Sequence, residues 1–318
     1  MKPVVLLVEP IHPKYLALLE KSTRVVRPSA FDEDTLARTA AEHQVDAIVI
    51  RTKGSVTRKI IHASPRLKIV GRHGIGVDHI DIDAATKAGV WVVNTPAGSI
   101  TAVTEHTWMM ILALAKHAIG GDAATRQREY QFRDKNKSLE LRGKTLGIIG
   151  LGRIGTRVAE AGVRGFGMKL LYTDIVRYTA KERRLGARKV SLKTLLSQSD
   201  VVSIHTPLDK STRGMIGARE LKWMQPHALL INCARGAIVD TVAVARALKA
   251  RKLGGAGIDV FDPEIPPASH PLLKCENAIL SPHSAAQTPE ANLNYGAVVL
   301  DVLRVLQRKR PKFPLNVV

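Results

Sequence analysis

Leu141–Asp174 reads LRGKTLGIIGLGRIGTRVAEAGVRGFGMKLLYTD, and the architecture of the whole chain is inferred outward from it. Thr145–Ile149 is a short apolar run of the kind that forms a buried strand, and Gly150-Leu151-Gly152-Arg153-Ile154-Gly155 follows at once. Ile154, Val158 and Ala161 then recur at helical spacing. Strand, glycine turn and helix in that order suit a dinucleotide. Gly150 permits the tight turn, Gly152 lets backbone approach a pyrophosphate, and Gly155 allows close helix-on-strand packing. Unbonded N–H groups at the helix start, Arg153 and Ile154 among them, face the anion. A second strand, Lys169–Thr173, ends at Asp174, about twenty residues beyond the glycines, where a carboxylate accepts hydrogen bonds from ribose hydroxyls. It repels a 2′-phosphate, so NAD is expected rather than NADP. Arg177, close by, is read as a residue of a solvated helix face.

The chain has 318 residues, enough for two domains with a core each. Its 45% hydrophobic and 24% charged residues are a globular composition. The apolar run Trp108–Ala115 is too short to span a bilayer, and MKPVVLLVEP has no signal-peptide pattern, so a cytoplasmic protein is expected. The two cysteines, Cys233 and Cys275, match no metal-ligand spacing and are expected to be reduced thiols, with no metal site. A net charge of +20 raises the question of nucleic acid. However, Lys and Arg are spread along the chain, only Gln307–Lys312 is a compact basic run, and 4% aromatic residues leave little for bases to stack on. The charge is therefore read as a field that attracts a small anionic substrate.

Before residue 98, short β-branched runs alternate with helical stretches. Strands are expected at Val4–Val8, Arg24–Arg27, Ala47–Ile50, Leu67–Val70 and Val90–Val93, with helices near 14–20, 34–43, 56–63 and 81–88. That rhythm implies a parallel, helix-flanked sheet, in which ligands collect at the carboxyl ends of strands. Two loops qualify on that ground: Arg51–Gly54, and Gly71–Asp78, which contains Arg72, Gly74, Ile75 and Gly76. A long helix is expected from Ser99 past Lys116, so apolar through Trp108–Leu114 that it must be buried in a domain core, between domains, or against a second subunit. Beyond Asp174 strands are expected at Val201–Ile204, Ala228–Ile231, Gly255–Ile258 and Ala278–Leu280, with one last helix from Gln287 to Gln307.

Each late strand ends in polar residues. A dehydrogenase acting on an alcohol beside a carboxylate needs a base, a cation, and a group that sets the base's protonation. His283, Arg235 and Glu264 fit these roles, because each follows an expected strand on the cofactor side.

The segments RHGIGVDHID, NTPAGS, TEH, GKTLGIIGLGRIG, HTPL, NCARGAIVD, GIDVFDPE and LSPH resemble, in order and spacing, the D-isomer-specific 2-hydroxyacid dehydrogenases. The match extends over nearly the whole chain and looks closest to the members that act on D-3-phosphoglycerate, in a short form without the regulatory extension many of them carry. The resemblance implies an α/β fold of two doubly wound parallel-sheet domains. A Rossmann NAD domain, 99–285, is inserted in a flavodoxin-like substrate domain, 1–98 and 286–318, with catalysis in the cleft. It also implies that Arg235 anchors the carboxylate and polarises the C2 oxygen, that His283 is the acid/base, and that Glu264 bonds it and favours its protonated form. Asp259 would meet the nicotinamide carboxamide. Thr104, His205, Thr206, Pro207, Cys233 and Ala234 would line NAD, and a homodimer is implied. Arg51 and Arg72, whose planar forks suit phosphate, would read the far end of the substrate beside Gly74, Ile75 and Gly76.

Two positions depart from the family pattern: Ile265 follows Glu264 where proline is usual, and His79 stands where asparagine is common. The first leaves Asp262 as an alternative partner for His283. Hydroxypyruvate or glyoxylate reduction is the alternative reaction. An NAD-sensing co-repressor is a more remote alternative, and the absence of any low-complexity segment argues against it.

Overall fold

Val4–Leu7, Ala47–Ile50, Val201–Ile204, Leu229–Asn232 and Gly255–Ile258 are buried at every position, as expected of parallel strands covered on both faces. The computed structural model describes residues 2–318, which form two units: the chain up to Ser99 together with Gln287–Val318, and Ile100–Ala286. The sequence-based division lay at 98/99 and 285/286.

The first unit holds β1 (Val4–Leu7), β2 (Arg24–Val26), β3 (Ala47–Ile50), β4 (Ile69–Arg72) and β5 (Trp91–Val93). They pair in parallel in the order β2-β1-β3-β4-β5, the flavodoxin-like arrangement. One face is covered by Leu36, Ile60, Ile61 and Ile80, the other by Leu19, Val298, Val299 and Val302. Glu33–His43 begins where the Asp32 carboxylate accepts the Thr35 amide at 2.9 Å, and ends at Gln44 in the left-handed region, φ 47°. Buried Asp46 accepts the Val4 amide at 2.9 Å and pairs with Arg66 at 2.9 Å, which fixes the start of β1.

The expected last helix is two. Thr288 caps the first, Pro289–Gly296, by accepting the Ala291 amide at 3.0 Å, and Val298–Leu306 follows after Ala297. Proline at the first position and a threonine cap set the start at 289 rather than 287. The chain then runs along β5: Val92 N–H donates to Asn316 Oδ1 at 2.8 Å and Asn316 Nδ2 donates to the Val90 carbonyl at 2.9 Å, which covers a sheet edge.

The second unit holds β6 (Thr145–Ile149), β7 (Lys169–Thr173), β8 (Arg188–Lys189), β9 (Val201–Ile204), β10 (Leu229–Asn232), β11 (Gly255–Ile258) and β12 (Ala278–Leu280). All pair in parallel in the order β12-β11-β10-β9-β6-β7-β8, the doubly wound Rossmann arrangement with one strand added. The chain reverses sheet direction at β6, so β6 and β9 flank the switch point where such sheets bind ligands.

The apolar helix is Ile100–Ala115, and it packs on Arg153–Phe166 and on β10 and β11 inside this unit. Met110 and Ile111 are fully buried, the Trp108 ring stacks on Phe166 at 4.5 Å, and its indole N–H donates to the Val158 carbonyl at 3.2 Å. Of the placements open to it in the sequence, a core position inside one unit accounts for most of its apolar surface. Among the described residues no helix is long and apolar enough to cross a membrane.

Candidate active site

The glycine turn joins β6 to the helix Arg153–Phe166. Gly150 has φ 91°, and a Cβ there would lie 2.9 Å from the His205 carbonyl, so glycine is required on both counts. A Cβ on Gly155 would sit 2.1 Å from the Gly150 oxygen, which makes it the contact between helix and turn. At Gly152 nothing lies within 4 Å of a built Cβ, and no side chain caps the helix that starts there. Open space and uncapped N–H groups of Arg153 and Ile154 fit a pyrophosphate. Asp174 accepts the Leu151 amide through Oδ2 at 2.8 Å and the Val176 amide through Oδ1 at 2.9 Å. Each oxygen keeps accepting capacity for a ribose hydroxyl. Arg177 lies in an ion pair with Glu182 at 3.2 Å rather than against Asp174.

Past β9, the His205 amide donates to the Ile149 carbonyl at 2.7 Å, and its ring lies 2.8 Å from Ser203 Oγ. Burial pushes His205 down to about 3, so it is a neutral packing residue. Thr206 Oγ1 is buried and has no hydrogen-bond partner among the described residues, an orphaned hydroxyl that fits a polar group of a bound dinucleotide. Pro207 follows it, and its carbonyl accepts from Thr212 at 2.8 Å. Thr104 turns onto its own helix, donating to the Ile100 carbonyl at 2.7 Å.

Past β10, Asn232 shapes the next turn, its Oδ1 accepting the Ala234 amide and its Nδ2 donating to the Arg235 carbonyl, each at 3.0 Å. Cys233 Sγ lies 3.9 Å from Met110 Sδ, and burial pushes the thiol up to about 12, which leaves no thiolate at neutral pH. Arg235 donates one Nη1 bond to the Ala234 carbonyl at 2.8 Å.

The loops after β11 and β12 bring the expected acid/base, His283, to its expected partner, Glu264. His283 Nδ1 and Glu264 Oε1 are 3.0 Å apart. Because an ionised carboxylate only accepts, Nδ1 carries the hydrogen and Nε2 is left to exchange a proton with a substrate. The alternative partner, Asp262, instead faces Arg213 at 3.5 Å. Ile265 is 86% exposed and leaves the Glu264–His283 bond in place. Asp259 is 1% exposed, and its carboxylate accepts the Ser284 amide at 2.8 Å and the Ala285 amide at 3.1 Å. It therefore holds the loop that carries His283, a role absent from the sequence reading. No group of His, Cys, Asp and Glu among the described residues forms a metal site.

In the first unit the two expected loops differ. The buried carboxylate of Glu9, unremarked in the sequence, accepts the amides of Arg51 at 3.1 Å and Lys53 at 2.8 Å and the Thr52 hydroxyl at 2.8 Å. That loop offers its side chains rather than its backbone, and Arg51 Nη2 donates to Gln287 Oε1 at 2.9 Å. In the other loop Gly74 turns at φ 151°, and the amides of Ile75 and Gly76 donate to no acceptor among the described residues. Two such adjacent N–H groups suit a carboxylate. Arg72 braces this turn, donating Nε to the Gly76 carbonyl at 2.7 Å and Nη1 to the His73 carbonyl at 2.8 Å.

Residues 108–285 match the family described as D-isomer specific 2-hydroxyacid dehydrogenase, NAD binding domain. The chain is 38% identical over 300 residues to a D-3-phosphoglycerate dehydrogenase of Archaeoglobus fulgidus, covering 93% of this chain and 56% of that one. It thus spans little more than half the length of that relative. It is also 38% identical over 300 residues to a glyoxylate reductase of Thermococcus litoralis, covering 92% of this chain and 89% of that one. Among solved structures, D-lactate dehydrogenase from Aquifex aeolicus complexed with NAD and lactic acid superposes with a TM-score of 0.87 at 30% identity, covering 96% of each chain. With the turn, the acid ending β7 and the paired histidine all present, the chain belongs to the D-isomer-specific 2-hydroxyacid dehydrogenase family, whose members are NAD-dependent oxidoreductases.

Proposed function

We propose that the protein moves a hydride between NAD and C2 of a D-2-hydroxy acid, with oxidation of D-3-phosphoglycerate to 3-phosphohydroxypyruvate as its reaction. The observation that carries the reaction type is the His283–Glu264 bond of 3.0 Å, in the same unit as the dinucleotide turn. NAD, when bound, takes up or supplies the hydride. His283 Nε2 accepts the C2 hydroxyl proton during oxidation and returns it to the C2 oxygen during reduction. Glu264 accepts from Nδ1–H and stabilises the imidazolium that forms. Arg235 binds the substrate carboxylate and polarises the C2 oxygen.

For the far end of the substrate, Arg51 is the phosphate reader: among the described residues its side chain is held by the neutral amide of Gln287, which a phosphate can displace. A second reading, hydroxypyruvate or glyoxylate reduction, is favoured by Arg72, two of whose donors bond carbonyls of its own turn. Steady-state kinetics on a substrate panel separates them. Arg51→Ala is expected to cost about 10- to 100-fold in kcat/KM for the phosphorylated substrate, the worth of a charge-assisted hydrogen bond, and little for hydroxypyruvate. Arg72→Ala is expected to weaken both alike, since the turn serves both. An equal loss for both substrates at Arg51 would favour the second reading.

We also propose a homodimer. With most of the Ile100–Ala115 helix buried inside its unit, support for pairing narrows to exposed apolar residues near it, Met109 at 44% and Ile119 at 62%. Sedimentation is expected to show a dimer at micromolar concentration, and Ile119→Glu is expected to shift it toward monomer. A wild-type monomer would contradict the proposal.

A further inference from the structure

We propose that His106 is a positioning residue for His283 and acts through Ser281 and Asp259; this rests on the dehydrogenase reading above. His283 has φ 52°, a left-handed conformation that residues with a side chain rarely adopt. What holds it there is the winding of residues 281–285 around Asp259. The Asp259 carbonyl accepts the His283 amide at 2.8 Å, Oδ1 accepts the Ser284 amide at 2.8 Å and Oδ2 the Ala285 amide at 3.1 Å. Ser281 closes the ring by donating its hydroxyl to Oδ1.

His106 enters from the helix Ile100–Ala115 of the same unit, with its side chain 16% exposed and Nε2 2.9 Å from Ser281 Oγ and 3.5 Å from Asp259 Oδ1. The direction of this chain follows from its end. Asp259 as a carboxylate can only accept, so the Ser281 hydrogen points at it, and the Ser281 lone pair is left to take a hydrogen from His106. His106 therefore carries its hydrogen on Nε2. A run of donors in one direction strengthens each of its bonds, and it ends on the carboxylate that winds the catalytic loop. Removing the first donor frees the Ser281 hydroxyl to rotate, and the loop then has one fewer constraint on the His283 backbone.

The test compares His106→Phe, similar in shape but without a donor, with His106→Gln, whose amide nitrogen can replace Nε2–H. His106→Phe is expected to lower kcat about tenfold or more with little change in KM, His106→Gln to recover most of it, and Ser281→Ala to match His106→Phe. If His106→Phe does not fold, Ser281→Ala carries the comparison with wild type. A second readout needs no substrate. In protein with ¹³C-labelled histidine, the His283 ring signal, identified by its loss in His283→Ala, should be single in wild type and broadened or split in His106→Phe and Ser281→Ala. An unchanged ring signal in these variants overturns the proposal, as does a Gln variant no better than Phe, which would mark His106 as packing alone. If wild type turned over no 2-hydroxy acid, the reaction assignment would fall while the ring signal still reported on positioning.

Discussion

His283→Ala is expected to reduce kcat by about 10³-fold, within the range for loss of a general acid/base, while NADH binding is unchanged. His283 sits beyond β12, while the groups that fit the dinucleotide, the Gly150–Gly155 turn, Asp174 and Thr206, lie at β6, β7 and β9. Loss of the imidazole takes away the Nε2 that exchanges the proton and leaves Glu264 without its 3.0 Å partner. Single-turnover rates and NADH fluorescence titration check the two halves separately. A variant that retained a tenth of the wild-type rate would require another base, and one that lost NADH binding would mean that the loop supports the cofactor.

Gly236→Ala should have a large effect although it touches no reacting atom. A Cβ on Gly236 would lie 2.1 Å from both the carbonyl carbon and the oxygen of Phe261, and 2.7 Å from the Asp262 nitrogen. Backbone atoms cannot turn aside as a side-chain tip can, so the two loops must part. One carries Arg235 and the other leads to Glu264. Overpacking of this kind costs about 3 kcal/mol, or roughly 6–12 °C in Tm for a unit of this size. Activity should fall further than stability explains, because the cation and the acid/base partner move apart. Thermal melts and kcat on the same preparation test this, and a variant with wild-type Tm and rate would show that the loops have room the structure does not have.

The strands that sequence places to within a residue or two are those whose β-branched runs are buried on both faces, Ala47–Ile50 and Val201–Ile204 among them. Arg188–Lys189 escaped notice because two basic residues at a sheet edge bear no apolar pattern. The dinucleotide turn was legible, and His283 and Glu264 could be proposed as partners, because the chemistry restricts the residue type at each position. Glu9, Asn232, Ser281 and His106 were not. Their partners are backbone groups or side chains that folding brings near from distant positions, such as the Glu9 carboxylate against the amides of residues 51 and 53. No spacing within the chain announces them. Arg72 shows the converse: arginine after a strand reads as an anion binder, yet it is fixed by carbonyls of its own loop, which only the turn at Gly74 brings within reach.

A stereospecific dehydrogenase with NAD as acceptor is tested most directly by the initial rate of NADH formation with the purified protein, NAD, and the D or L enantiomer of one 2-hydroxy acid at a time, including 3-phosphoglycerate, glycerate and lactate. NADH should form with at least one D enantiomer and not with its L counterpart. NADH formation from an L enantiomer in preference to its D form, or from neither across the panel, would contradict the assignment of His283, Arg235 and Glu264.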